Sequence, residues 1–566
     1  MSIYSTVESG TSFHRSRFSK SISYTKRYDC KFGKIIPVLE KFVLPGDVWR
    51  IGGDVLVRFQ PQLAPSLTMS TFRVRYFFVP LRLLESNAEL IITGSNDGHL
   101  YSGTLPEFPN FLNGANKVTD PNCYKVSKHS LFDYFGCQVG DYEKIKNEKF
   151  LPAQYWNKGY FRILWDYYFD ENISSPHAGF ADFESYWNAM KVYGADVNPQ
   201  SALIPKDYFS SALPWQLKGI APTISMSGTG TFTPNYNFLT VADTYQAVGD
   251  NFGFDLKGRK PSEFFPQIGT LFNGSKDGNW PAQVDGSTEI DAFNQAVLDG
   301  LNQPQTVSFT AGSFNADEFR TMMQQTRIFE RLARCGSRYT EYLRSTFGTA
   351  PADDTLQRAQ YLGGWKLPII TTEVLQTAED GSTPVGTMRG HGITRGGNKI
   401  NTFYAKEFGI ILGLAHIMPN IEYTTGCPRE MSYKSRFDFF NPSFQHLSEQ
   451  EVRNGELYVD FTGGDSSDND NTFGYQAYAN ELRSSTDKTV GDLRDSLAYW
   501  TQSISFNSRP NLNNAFVDSD SYLANFNQNF AVSGVNAYPC IVQFRNNLDV
   551  YRPMVRYATP GLVDHL

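Results

Sequence analysis

The chain has 566 residues, 40% hydrophobic and 15% aromatic, with 44 Phe and 31 Tyr against only 8 His. Its length is well above the roughly 100–200 residues of one ordinary domain, and this apolar content excludes wholesale disorder. A formal net charge of -7 excludes a chain that is basic throughout and holds duplex DNA by phosphate neutralisation alone.

The first segment, residues 1–34, runs against the overall charge: Arg15, Arg17, Lys20, Lys26, Arg27, Lys31 and Lys34 face only Glu8 and Asp29. Phe13, Phe18, Tyr24 and Tyr28 are interleaved with these cations. Such a segment tracks phosphates and offers rings to bases, or it is simply a solvated arm; both readings stand. The terminus turns polar and basic at once, with no apolar stretch like a signal peptide's, so a soluble chain without Sec export is expected. From Lys34 to Leu84 the text is strand-like, with Val48–Phe59 and Ser70–Val79 rich in branched and aromatic residues and turn signals at Pro45-Gly46-Asp47 and Gly52-Gly53-Asp54.

Residues 85–200 are loop-rich and aromatic, with short helical candidates at Ser130–Phe135 and Phe183–Val192. The stretch 221–310 holds ten glycines, four cations and nine acids, which suggests an exposed, turn-rich elaboration of β-type or irregular structure. A helix is then predicted from Asn315, where an amide cap is followed by Glu318. Its apolar residues Phe319, Met322, Met323, Phe329 and Leu332 recur at steps of three and four, its outer face carries Arg320, Arg327, Arg331 and Arg334, and Gly336 ends it. Beyond Gly364, strands are predicted at Leu367–Val374, Phe408–Ile417 and Tyr538–Phe544. The longest apolar run, Phe408–Met418, is about half the roughly twenty residues a bilayer span needs, and reads as a buried strand.

Spacings that carry catalysis are missing from the sequence. There is no phosphate-binding P-loop, no H-E-x-x-H, no G-x-S-x-G and no dinucleotide fingerprint. The histidines are scattered, and the six cysteines (Cys30, Cys123, Cys137, Cys335, Cys427, Cys540) contain no C-x-x-C pair, as expected of buried thiols. The acidic run 463–470 lacks the sixth-position glycine and closing glutamate of a calcium loop and reads as solvated. Arg552, Asp564 and His565 are too ordinary a trio to be read as an acid–base group. No catalytic residue, metal site or cofactor is expected.

Several segments, in order, resemble the major capsid proteins of gokushoviruses (Microviridae): FVLPGDVWRI (42–51), TFRVRYFFVPLRLLES (71–86), LPWQLKG (213–219), RIFERLARCGSRYTEYLRSTFG (327–348), LQRAQYLGG (356–364), FGYQ (473–476) and YRPMVRYATPGLVDHL (551–566). Departures occur at SYKSRFDFFNP (432–442) and at AYANELRSSTD (477–487). The resemblance implies a mainly β protein: an eight-stranded antiparallel jelly-roll barrel with long loop insertions and a few helices. Its parts would be a basic arm (1–34), a first part of the barrel (35–220), a surface insertion forming threefold protrusions (221–310) and the rest of the barrel (311–566).

It further implies a T=1 icosahedral shell around circular single-stranded DNA, assembled in the bacterial host cytoplasm and located in the virion. The implied partners are other copies of the chain, the DNA genome, a small basic DNA-associated protein, a minor pilot protein and a host receptor met by 221–310, with no membrane. On this reading Arg15, Arg17, Lys20, Lys26 and Arg27 would meet phosphates, and Phe18 or Tyr24 would stack on a base. Tyr155, Trp156, Tyr160, Phe161 and Trp165 would either make contacts between copies or fill the protomer's own core. The competing reading is a β-sandwich glycan-binding or glycan-cleaving protein, since aromatic-rich β proteins often present rings to sugars.

Overall fold

Period-two burial is clearest near the carboxyl end. Cys540, Val542, Phe544, Asn546, Leu548 and Val550 are buried, while Ile541, Gln543, Arg545 and Asp549 between them are exposed, as a strand with one face on a core requires. The computed structural model describes residues 18–93, 108–109, 125–142, 152–170, 172–173, 179–190, 197–219, 228–232, 305–309, 316–335, 338–375, 388–444, 449–462, 468–531 and 537–554. The chain divides into two compact units, residues 1–219 with 329–566, and residues 220–328.

The first unit is organised by one antiparallel sheet. Its strands are β1 (Phe18–Ser21), β2 (Tyr24–Cys30), β3 (Ile36–Val43), β4 (Val48–Phe59), β5 (Ser70–Pro80), β6 (Gln360–Leu375), β7 (Met388–Lys399), β8 (Phe403–Tyr404), β9 (Gly409–Pro419) and β10 (Cys540–Arg552). Eight lie along a single hydrogen-bonded path, β1-β10-β4-β7-β6-β5-β9-β3, while β2 pairs with β10 and β8 with β4. The long β6 makes the corner: Gln360–Ile369 pairs with β5 and Ile370–Leu375 with β7. The sheet thereby curls into a half-barrel, a jelly-roll-like β fold as the sequence led us to expect.

Side chains prove the curl, because strands that share no hydrogen bonds meet across the interior. Phe544 of β10 lies 6.1 Å from Phe72 of β5 and stacks on Trp365 of β6, with ring planes 12° apart. Asn546 of β10 donates from Nδ2 to the Val38 carbonyl of β3 at 2.8 Å. The core between the two halves is apolar and closed, holding Trp49, Phe72, Tyr76 and Phe544 at 0% exposure.

Gly53 of β4 is essential to that core. A Cβ there would lie 2.4 Å from Phe544 Cζ and 2.8 Å from the Tyr76 hydroxyl, and neither ring has room to retreat. Gly53→Ala is therefore expected to lower stability by about 1–3 kcal/mol through overpacking. A melting temperature unchanged from the parent would show that the core yields there.

The described residues also form four longer helices. The first, α1 (Tyr155–Tyr167), packs on β5 and β9 beside α2 (Phe183–Met190). Then follow α3 (Ala316–Cys335) and α4 (Tyr339–Phe347). On the predicted basic face of α3, Arg320, Arg327, Arg331 and Arg334 are all exposed; Arg334 still pairs with Glu449 at 2.8 Å. The cap expected at Asn315 lies outside the described residues. Within the second unit, Gly228–Phe232 pairs antiparallel with Gln305–Phe309; the rest of 221–310 lies outside the described residues.

Candidate functional site

Motifs from opposite ends of the chain meet in one buried ion pair. The Pro45-Gly46-Asp47 turn carries the chain from β3 to β4 and leaves Asp47 at 0% exposure. Asp47 Oδ2 accepts from the Leu44 backbone N–H (3.0 Å), from Trp49 Nε1 (3.2 Å), and from Arg552 through Nε (3.1 Å) and Nη2 (3.0 Å). Arg552 also donates to the Phe42 carbonyl at 2.8 Å and sits 5.2 Å from the Trp49 ring centroid. Arg552 thus serves the fold; Asp564 and His565 lie outside the described residues.

A second fastening joins α1 to the start of β6. Asp166 Oδ2 accepts from Arg162 Nε (3.0 Å) and from the Ala359 backbone N–H (2.8 Å). Tyr167 donates its hydroxyl to the Ala359 carbonyl at 2.6 Å, and Arg358 donates to the Asp166 carbonyl at 2.7 Å. Burial pushes the Asp166 carboxyl above its ordinary range, opposed by Arg162 and the Ala359 N–H.

A third hub is Arg429. Its Nη1 donates to Glu456 Oε1 at 3.0 Å, and its Nε lies 3.7 Å from Glu481 Oε1. Tyr208 donates to Glu456 Oε2 at 2.9 Å and Tyr433 to Glu481 Oε1 at 2.8 Å. Burial, the largest influence, raises the Glu456 carboxyl above its usual value against the lowering by the Arg453 N–H and Arg429. Arg429, Tyr433 and Glu481 border a cavity of about 270 Å³ that Phe437 and Phe440 also line. Around it stand exposed apolar side chains: Met431 is 77% exposed, Phe437 61% and Phe439 56%.

The predicted contact rings are elsewhere and are not free. The run 155–168, read as a loop, is helix α1, and its aromatics fill the protomer's own core. Tyr160 and Phe161 are fully buried; Tyr160 donates to the Ile35 carbonyl (2.9 Å) and accepts from the Gln200 N–H (3.0 Å). Tyr155 packs on Phe42 and Phe108, Trp156 on Phe135, and Trp165 on Tyr186. The reason is amphipathic failure of the usual kind: a helix covered on most sides keeps aromatic residues all round. The exposed rings at 437–440 are what the sequence reading missed. Their signal was present, three Phe in four residues beside Lys434 and Arg436 and before Pro442.

The basic amino-terminal segment divides in two. Arg15 and Arg17 lie outside the described residues. Phe18 and Lys20 are in β1, and Tyr24, Lys26 and Arg27 in β2, so this part is sheet and not a free arm. Lys26 is bound to Glu40 at 2.9 Å, and Tyr24 donates to the same carboxylate at 3.1 Å. Burial lowers the Lys26 pKa and Glu40 opposes it. Arg27 is exposed and donates to Gln543 at 3.2 Å, and Lys20 is exposed. Lys26 and Tyr24 are committed to the wall, whereas Lys20 and Arg27 remain on its surface.

Cys30, Cys137, Cys427 and Cys540 are free thiols, with Cys30 and Cys540 buried opposite one another in the β2–β10 register. Among the described residues no group of three or more His, Cys, Asp or Glu is placed to hold a metal, and no helix is long and apolar enough to cross a membrane. The carboxylates described above are held by arginine, lysine, tyrosine hydroxyls or backbone N–H groups, an arrangement that fixes loops and sheet edges in place.

Comparison with known proteins gives a consistent result. The family described as "Capsid protein (F protein)" matches residues 5–562. The chain is similar to the capsid protein VP1 of Chlamydia phage 1, at 28% identity over 99% of this chain and 97% of that protein. It is also similar to the VP1 capsid proteins of Bdellovibrio phage phiMH2K (27%, covering 97% and 95%) and Spiroplasma virus 4 (25%, covering 94% and 92%).

Proposed function

Because the chain belongs to the capsid protein (F protein) family, we propose that its copies close into a T=1 icosahedral shell around a circular single-stranded DNA genome. At the coarser level it is a phage capsid protein, a structural component of the virion. The observation that carries the finer reading is a family match running almost end to end, with the relatives' lengths covered in turn. The half-barrel supports it physically: a curved wall anchored by Asp47–Arg552, with exposed rings at 437–440 of the kind that contacts between copies use.

In this reading the 221–310 insertion faces outward and meets a host receptor, its acidic composition suiting a surface that does not attract the genome. Arg15, Arg17, Lys20 and Arg27 face inward toward phosphates, and a small basic protein and a minor pilot protein accompany them. Assembly takes place in the bacterial cytoplasm.

Expression of the full chain tests the proposal. Negative-stain microscopy is expected to show uniform particles, and nucleic acid recovered from them to be protected until the shell is opened and then sensitive to a single-strand nuclease. Monomers retained on a polysaccharide column would instead favour a glycan-binding sandwich. Arg15, Arg17, Lys20 and Arg27, all changed to Gln with Lys26 kept for Glu40, are expected to reduce protected DNA per particle. Equal DNA content and equal particle yield would remove the arm from packaging.

A further inference from the structure

On the face of β5 and β6 turned away from the inter-sheet core, three cations are gathered with no acid beside them among the described residues. Arg73 lies directly opposite Lys366 in the β5–β6 register, and on its other side opposite His416 of β9. Arg75 follows two residues along the same face, roughly 6.8 Å further on at ordinary strand rise. Together with Tyr361, Val74, Gly364 and Trp365 the three cations line a cavity of about 210 Å³ that contains no carboxylate.

Burial, and after it the neighbouring Arg75 guanidinium, lower the Arg73 pKa. The Arg75 guanidinium lies 5.2 Å from the Tyr168 ring centroid. The buried Nδ1 of His416 has no hydrogen-bond partner among the described residues, and burial with Arg75 and Arg73 nearby pushes that imidazole down to about 3. His416 is thus neutral and adds no charge to the three cations.

Like charges placed directly opposite on a sheet destabilise it. Arg73 against Lys366, with Arg75 adjacent and no acid among the described residues lining the cavity, leaves positive charge that an anion would neutralise. The arrangement of the cations tells which anion. They form a short line along one strand and across to the next, which suits a run of phosphates better than one compact ion. Tyr361, 45% exposed at the end of that line, offers a ring on which a base can stack whatever its identity.

We propose that the Arg73–Arg75–Lys366 cluster, with Tyr361, is a sequence-independent binding site for the backbone of single-stranded nucleic acid. The site rests on the shell reading above, since packaging is what would bring such a strand to this face. It is separate from the amino-terminal cations.

The test uses the full-length chain and a labelled oligo-dT, with binding followed by fluorescence anisotropy across a salt series. Arg73→Gln with Lys366→Gln is expected to weaken binding on the order of tenfold and to reduce the slope of log K against log salt by about 1.4. Tyr361→Ala is expected to weaken binding while leaving that slope in place. The double variant should melt no lower than the parent, because it relieves an opposed pair of like charges; a lower melting temperature accompanying the loss would assign these residues to folding and overturn the site.

Unchanged affinity and slope would overturn it as well, and so would competition by polyglutamate as effective as by oligo-dT. Failure here is distinguishable from failure of the shell reading. Particles without oligo-dT binding would remove the site and keep the shell. Binding through this cluster by a chain that never forms particles would keep the site and remove the shell.

Discussion

Arg552→Ala is expected to destabilise the chain by about 3–5 kcal/mol, the cost of stranding one member of a buried ion pair. Asp47 is fully enclosed, and two of the four donors that reach its Oδ2 belong to Arg552. Without them the carboxylate keeps one backbone N–H and one indole N–H against the loss of its counter-ion. The same deletion frees the Phe42 carbonyl and uncovers one side of Trp49. Three elements loosen together, the ends of β3 and β10 and the turn into β4. Arg552→Lys should recover only part of the loss, since one ammonium cannot reproduce a planar fork that serves both Asp47 and Phe42. Asp47→Asn combined with Arg552→Met should be milder than Arg552→Ala alone, because no unpaired charge remains inside. Urea unfolding of the three variants gives the order. An Arg552→Ala midpoint within error of the parent would mean that water reaches Asp47.

This ion pair also shows how far the sequence could be read. The LPGD turn and the arginine of the carboxy-terminal YRPM were both visible as text, and both supported the family resemblance. That they are two halves of one contact needs the β4–β10 register, which pairs Val48 with Tyr551. Strands β4 and β5 were legible because one-sided burial writes period two into the residues. β7 was not, since Gly390, Gly392, Gly396 and Gly397 make it look like loop. Gly392 is there for space: a Cβ would fall 2.4 Å from Phe59 Cδ2. Helix α1 was hidden for the opposite reason. Its buried polar residues Asn157, Lys158 and Asp166 interrupt the amphipathic pattern, and sequence alone leaves its rings open between contacts with other copies and the protomer's own core, into which they pack. Lys26 shows a third kind of limit, because a cation's availability depends on a partner on a strand distant in the sheet order, here Glu40 of β3.

Arg429→Ala is expected to have a comparable cost, about 3–5 kcal/mol, with a pH signature of its own. Removing Arg429 takes the shared cation from Glu456 and Glu481, with tyrosine hydroxyls, the Gln450 amide and one backbone N–H as their remaining donors. Glu456 is already raised above its ordinary value by burial, and losing a nearby cation raises it further. A carboxyl whose folded pKa is raised binds its proton more tightly in the folded state, so its contribution is most favourable below the unfolded value. That contribution is lost as pH rises through the folded value. The deficit of the variant should therefore be full at neutral pH and shrink as the solution is acidified toward the carboxylate range. Arg429 also anchors the segment that carries Met431, Phe437 and Phe439, through its own position and through Tyr433 on Glu481. Particle yield should consequently fall even at temperatures where the protomer stays folded. Thermal melts at neutral and acidic pH, read beside particle counts, separate the two effects. A deficit that does not vary with pH would place the cost in lost packing, and normal particle yield from a folded variant would take the 437–440 rings out of the contacts between copies.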